Sequence, residues 1–123
     1  MDLQRLAFWL EDVTPRIENL DGYLFIDRLG LGPSGLRKKT GSYGSMSEAQ
    51  LWMNIVLLDD FISEVVGDDW ESNDPAVNRL LSVFEQAWSY QVRVSFPGTD
   101  FLIERLLDDE YGDLGLRLIN SHQ

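Results

Sequence analysis

The stretch from Ser45 to Gly67 most constrains the fold, because its pattern is that of one long, broadly apolar helix. Ser45 and Glu48 have the spacing of a capping box, in which the serine and glutamate side chains bind the first free amides of a helix. Gly67 follows the last apolar residue, where a glycine can adopt a left-handed conformation. One helical face is formed by residues at spacings of three and four, namely Leu51, Ile55, Leu58, Ile62 and Val65. The pattern predicts a central helix over 46–66 that other elements cover on several sides.

Further amphipathic segments predict a mainly α fold, a compact bundle of four to five helices around this central helix. Asp74 and Pro75 form an N-cap and first-turn pair, and the helix that follows has one apolar face. That face is formed by Val77, Leu81, Phe84, Trp88 and Val92. Shorter helices are predicted over 2–12, from Thr14-Pro15 to Leu20, and from about residue 100 to 108.

A small sheet is the alternative, because three short segments have strand-like composition or alternation. They are 23–28, 92–96 and 114–119, and together they would give an α+β fold. Five of the ten glycines fall between Gly30 and Gly44, so 30–44 is predicted to be a Gly-rich surface loop. With 123 residues, 1–123 is predicted to be a single domain.

Several classes of chemistry are excluded by the residue types that the chain lacks. There is no cysteine, which excludes disulfides, thiolate zinc sites and thiol catalysis. The sole histidine is His122, close to the end of the sequence, which argues against serine–histidine catalysis and histidine metal sites. No signal peptide or membrane-spanning apolar run is visible, so we expect a cytoplasmic protein with no membrane partner.

Residues Gly30 to Gly35 match the letters of the dinucleotide-binding motif G-x-G-x-x-G. That motif requires a helix that opens directly on the glycines within a βαβ unit, and the later glycines argue against such a helix. We therefore expect no cofactor. Arg37, Lys38 and Lys39 in the same segment are too few for a nucleic-acid footprint, and we expect them to neutralise the protein's own acids.

The formal net charge of −11 is concentrated in the second part of the chain. Residues 45–123 contain fifteen of the twenty-one acidic residues and four of the ten basic ones. A surface of this charge repels nucleic acid and anionic membranes and accelerates association with basic proteins. The expected partner is therefore a basic protein.

Two short acidic runs, each with an aromatic residue, are the candidate partner-binding site. The residues are Asp68, Asp69, Trp70, Glu71, Asp108, Asp109, Glu110 and Tyr111. Neither run has the glycine and glutamate positions of a calcium loop, so no metal site is expected. Aromatic rings among charges suit a protein interface, with the ring as anchor and the carboxylates as steering groups. Asp59 is a separate candidate, either as a desolvated acid or as half of an internal ion pair with Arg79 or Arg105.

In size, acidity and lack of catalytic residues, the chain resembles the immunity proteins and antitoxins that bacteria pair with nuclease toxins. The resemblance is one of class and has no diagnostic motif. It implies a non-enzymatic protein that covers a toxin's substrate cleft, with carboxylates in place of phosphates. Two alternatives stay open: a carboxylate-based, metal-dependent enzyme or ligand-binding helical protein that uses Asp59 or Asp60, and a regulatory adaptor that binds through apolar grooves.

Overall fold

The computed structural model describes residues 2–108 and 113–121, and within them the chain is α+β. The elements follow in the order α1 (Leu3–Leu10), β1 (Ile17–Leu20), β2 (Tyr23–Ile26), α2 (Gly32–Thr40), α3 (Met46–Met53), β3 (Ile55–Leu57), α4 (Asp59–Val66), α5 (Pro75–Ser95), β4 (Phe101–Asp108) and β5 (Asp113–Asn120). The described strands form one two-stranded and one three-stranded antiparallel sheet. The predicted mainly α bundle is therefore wrong, and the α+β alternative fits.

The predicted central helix over 46–66 is divided into a helix, a strand and a second helix. Ser45 caps α3 as expected, since its Oγ accepts the Glu48 amide at 3.1 Å, while the Glu48 carboxylate reaches the amide of Gly44. The helix ends at Met53, because the next three apolar residues pair with β5 instead of continuing the turn. Gly67 ends α4 with a φ of +98°, a conformation that favours glycine.

The first sheet is a tight hairpin where a short helix was predicted. Ile17 to Leu20 pair with Tyr23 to Ile26, and only Asp21 and Gly22 lie between the strands. Both have positive φ, 55° and 93°, as a two-residue hairpin turn with the twist of its strands requires. The predicted helix over this segment is wrong because the Asp-Gly pair forms a hairpin turn.

The second sheet has the order β3-β5-β4, and α5 lies against one of its faces. The Asp74 carboxylate accepts the Ala76 amide at 2.9 Å, so the predicted cap of α5 is confirmed. The predicted apolar face of α5 is also confirmed, since Val77, Leu81, Phe84, Trp88 and Val92 are all buried. Leu114, Leu116 and Leu118 of β5 belong to the same core cluster as these residues.

Two predicted segments at the end of the chain have the opposite secondary structure. Residues 92–96, a candidate strand, form the last turn of α5 up to Ser95, because the helical face continues through Val92. Residues 101–108, a predicted helix, form β4 and pair with β5 along their whole length. No helix among the described residues has both the length and the apolarity needed to cross a bilayer.

The predicted Gly-rich loop over 30–44 contains the nine-residue helix α2, so that prediction is wrong for most of its length. Arg37, Lys38 and Lys39 occupy the last turn, where positive charge is favourable to the helix dipole. Arg37 donates to the Asp21 carboxylate at 2.8 and 3.3 Å and holds the pKa of Asp21 below its ordinary value. For Arg37, the expected neutralisation by the protein's own acids is confirmed.

Three buried amide side chains join the two sheets. Asn54 accepts the Ile26 amide at 2.9 Å and donates to the carbonyls of Leu24 and Leu118 at 2.7 and 2.9 Å. Gln50 donates to the same Leu24 carbonyl and to the side chain of Asn120. These amides take the place of backbone partners where the β2 and β5 strands approach each other, which satisfies polar groups that would otherwise be buried unpaired.

Candidate functional site

An open cleft lies where α4, the connector that follows it and the end of β4 come together. Its volume is about 630 Å³. The residues that line it are Asp59, Ser63, Asp68, Trp70, Glu71, Ser72, Asn73 and Leu107. The structure thus brings three of the sequence-predicted residues into one concave site together with Asp59. None of the described residues that line this cleft is a lysine or an arginine.

Trp70 forms a fixed wall of the cleft. Its indole N–H donates to Ser63 Oγ at 2.8 Å, and its half-buried ring packs against the main core cluster. Because both ends of the side chain are held, the ring presents one surface to the cleft at little further cost in side-chain entropy. Tryptophan suits this boundary between core and solvent because its large apolar ring carries a single polar N–H group.

The carboxylates of Asp59, Asp68 and Glu71 give the cleft its charge. Asp68 and Glu71 belong to the exposed connector, and Asp59 opens the first turn of α4, where the helix dipole favours negative charge. Asp69 is also exposed but does not line the cleft.

The predicted ion pair of Asp59 is wrong for both of its suggested partners. Its carboxylate instead accepts the backbone amide of Leu114 at 3.4 Å, which ties the start of α4 to β5. Arg105 is engaged elsewhere, since it donates to Glu85 at 2.6 Å, and Arg79 forms no ion pair with Asp59 in the part of the chain that the structure describes. The carboxyl of Asp59 therefore faces the cleft, and no basic side chain is found beside it among the lining residues that the structure describes.

The second predicted acidic run is only partly described. Asp108 is the exposed last residue of β4 and directly follows Leu107, which lines the cleft. Asp109, Glu110 and Tyr111 lie outside the described residues. Sequence reasoning did not assign Ser63 or Leu107 to the site. Leu107 is distant from the connector along the chain, and only the fold shows that Ser63, on the preceding helix, contacts Trp70.

The glycine motif of residues 30–35 forms the start of α2, so the expectation that no helix follows it is wrong. The strand before it, β2, belongs to an antiparallel hairpin and not to a βαβ unit. The Asp27 carboxylate accepts the amides of Leu31 and Gly32, each at 2.9 Å. The position at which a nucleotide motif would hold phosphate is thus occupied by the protein's own carboxylate.

A second cleft, of about 700 Å³, contains a buried carboxylate with an internal role. Asp12 accepts from Arg28 at 2.9 Å, and its backbone carbonyl accepts the indole N–H of Trp88 at 2.7 Å. Burial raises the pKa of Asp12, and this effect exceeds the opposing influence of Arg28. Asp12 therefore links α1 to the core. Among the described residues, no group of three or more histidine, cysteine, aspartate or glutamate side chains is placed to hold a metal ion.

Comparisons of the chain with protein-family models, with curated proteins and with solved structures find no match.

Proposed function

We propose that this is a small acidic, cytoplasmic binding protein that masks a basic protein partner, as a bacterial immunity protein or antitoxin masks a nuclease-type toxin. The observation that carries the proposal is the open cleft that Asp59, Asp68 and Glu71 line together with Trp70, with no basic residue among the described residues of the lining. The net charge of −11 also supports a basic partner, because it attracts cationic proteins over a long range.

The cleft suits the long basic side chains of a partner. The guanidinium of an arginine forms charge-assisted hydrogen bonds with carboxylates, and it also stacks on an indole ring. A side chain that enters beside Trp70 would meet Asp68 and Glu71 on the connector and Asp59 at the start of α4. Because Trp70 is already held by Ser63, the site needs little reorganisation when the partner binds.

Masking explains how binding alone would stop a nuclease. A nuclease holds the phosphates of its substrate with lysine and arginine, and this contact supplies much of its affinity. Carboxylates presented on a rigid surface compete for the same basic residues and exclude the nucleic acid. The protein then needs no chemistry of its own, and Asp108 at the end of β4 adds a further carboxylate near the cleft.

The proposal is tested with the protein encoded beside this one in its genome. We expect that neighbour to be a cationic nuclease, and we expect equimolar addition of the acidic protein to abolish its cleavage of DNA or RNA. The double variant Asp68→Lys and Glu71→Lys should lose inhibition. The control, Glu11→Lys with Asp100→Lys, makes the same change of charge at two exposed positions outside the cleft lining.

Two results would refute the proposed function. One is a neighbour-encoded protein that neither binds nor is inhibited. The other is equal loss of inhibition in the cleft variant and in its charge-matched control, because a general effect of charge would then explain the binding without the cleft.

A further inference from the structure

The free edge of β4 is defined by the hydrogen-bond register of the sheet. Leu58 donates its amide to the Leu114 carbonyl at 2.7 Å, so the peptide groups of the even-numbered residues of β5 are directed toward β3. Ser121, directly after β5, donates its amide to the Asp100 carbonyl at 3.2 Å. The peptide groups of the odd-numbered residues of β5 therefore bond to those of the even-numbered residues of β4. The remaining peptide groups of β4 are directed away from β5. They belong to Phe101, Ile103, Arg105 and Leu107.

Within the described residues, this edge lacks three features with which proteins often block an exposed strand, namely short length, proline and a bulge. β4 has eight residues, it contains no proline, and its register with β5 is continuous, without a bulge. Its two central charges are both engaged, since Glu104 pairs with Arg117 at 3.0 Å and Arg105 pairs with Glu85. Within residues 2–108 and 113–121, no strand other than β5 pairs with β4. The edge is therefore suited to the addition of another strand.

The edge leads directly into the acidic cleft. Leu107 carries the last of the outward peptide groups, and its half-exposed side chain lines the cleft beside Trp70. A strand added to β4 would therefore have one end next to Asp68 and Glu71, with basic side chains within reach of them.

We propose that the edge of β4 binds an extended, basic segment of the partner protein as an additional strand, with a lysine or arginine at one end of that segment in the acidic cleft. This inference rests on the proposed function and specifies how the partner is held. Backbone hydrogen bonds along β4 provide the affinity that does not depend on side chains, and the cleft selects for positive charge.

A second copy of this chain is the less suitable occupant. Two copies could pair antiparallel through β4 about a two-fold axis. Side chains that are directly opposite each other in such a pair lie on the same face of the sheet, so the residue at the axis is opposite the same residue of the other copy. Centred on the middle of β4, this pairing would place Glu104 opposite Glu104 or Arg105 opposite Arg105. Each copy also brings a net charge of −11 to the contact.

The test measures amide hydrogen exchange by nuclear magnetic resonance, with an eight-residue peptide of alternating lysine and valine as the probe. In the free protein, the amides of Ile103, Arg105 and Leu107 should exchange faster than those of Leu102, Glu104 and Leu106, which donate to β5. The peptide should slow the exchange of the first set by about tenfold or more. The matched peptide of alternating glutamate and valine should have no such effect.

A pair of variants separates the backbone from the side chain at one position. Leu107→Pro removes an outward amide but no donor to β5, so the sheet should persist. Leu107→Ala removes the side chain and keeps the amide. We expect the proline variant to bind the peptide at least about tenfold more weakly than the alanine variant, which corresponds to about 1.4 kcal/mol. A second pair, Arg105→Pro and Arg105→Ala, repeats the test if a proline at 107 prevents folding.

The possible results distinguish this inference from the proposed function. Inhibition of the neighbouring nuclease without protection of the odd-numbered amides would overturn the edge inference and leave the function intact. Protection by the peptide without any effect on the nuclease would support pairing at the edge and refute the function. Protection in the free protein that rises with its concentration would identify a second copy as the occupant and overturn the inference, as would absence of protection at millimolar peptide.

Discussion

Replacement of Asn54 by alanine should destabilise the protein severely, because this side chain completes the backbone hydrogen bonding of two sheets. It makes three hydrogen bonds, to Ile26, Leu24 and Leu118. The Leu24 carbonyl keeps Gln50 as a donor, so two buried groups lose their partner: the amide of Ile26 and the carbonyl of Leu118. Each unsatisfied group costs about 1–3 kcal/mol, and the vacated volume adds to the loss.

We therefore expect Asn54→Ala to lower the free energy of unfolding by about 3–5 kcal/mol, a large part of the total of a small domain. Urea denaturation followed by tryptophan fluorescence measures this change. Asn73→Ala is the matched control, since Asn73 is exposed, and it should change stability by less than about 0.5 kcal/mol. A loss below about 1 kcal/mol for Asn54→Ala would refute the role of this amide as the link between the sheets.

Three further substitutions, together with Gly41→Ala as a control for the first, test local features of the fold. Gly115→Ala should lower the free energy of unfolding, measured by urea denaturation, by about 1–3 kcal/mol, because a Cβ there would overlap a carbonyl of β3. Gly41→Ala should leave the free energy of unfolding nearly unchanged, because Gly41 has a helical φ of −63°. Asp12→Asn removes a carboxyl whose pKa burial raises. The folded state therefore holds that proton more tightly than the unfolded state, so the wild type should lose stability as the pH rises from 4 to 7. The free energy of unfolding of the variant relative to the wild type should rise over the same range. Loss of the hydrogen bond with Arg28 lowers the stability of the variant but does not change this trend. Asp74→Ala should cost about 0.5–2 kcal/mol by loss of the cap of α5, measured as a lower urea midpoint, and an unchanged midpoint would contradict the role of the cap.

The parts of the fold that sequence reasoning predicted correctly depend on local signals. Asp74 and Pro75 mark the start of α5 because a cap and a first-turn proline act within a single turn. Ser45 marks the start of α3 in the same way. The buried stripe of α5 follows from helical spacing alone, since the helix has one face against the sheet and the other in solvent.

The errors have a different physical cause, namely long-range pairing that overrides local periodicity. Ile55, Val56 and Leu57 fit the helical pattern, but their partners lie about sixty residues away in β5. Two signals in the sequence favoured dividing the predicted helix 46–66 into α3, β3 and α4. Asn54 is a weak helix former and is followed by β-branched residues, and the acidic pair 59–60 suits the first turn of a new helix. The Asp21–Gly22 hairpin was also predictable, because an Asp-Gly pair between two apolar segments is a strong hairpin signal.

The candidate site was predictable only in part. The exposed acids and Trp70 of the connector were visible from composition, but their position beside Asp59 and Leu107 depends on the docking of α4 and β4 around β5. The free edge of β4 was not visible at all, because this segment reads as an amphipathic helix when its partner strand is unknown. Strand order and register are properties of the folded chain.

The measurement that tests the central claim most directly is the dissociation constant of the complex with the cationic neighbour-encoded protein as a function of salt. If carboxylates around Trp70 hold that partner, the dissociation constant should rise at least about tenfold between 50 and 500 mM sodium chloride. The double variant Asp68→Lys and Glu71→Lys should bind weakly at every salt concentration. A constant that does not change with salt, or one that this variant leaves unchanged, would contradict the account.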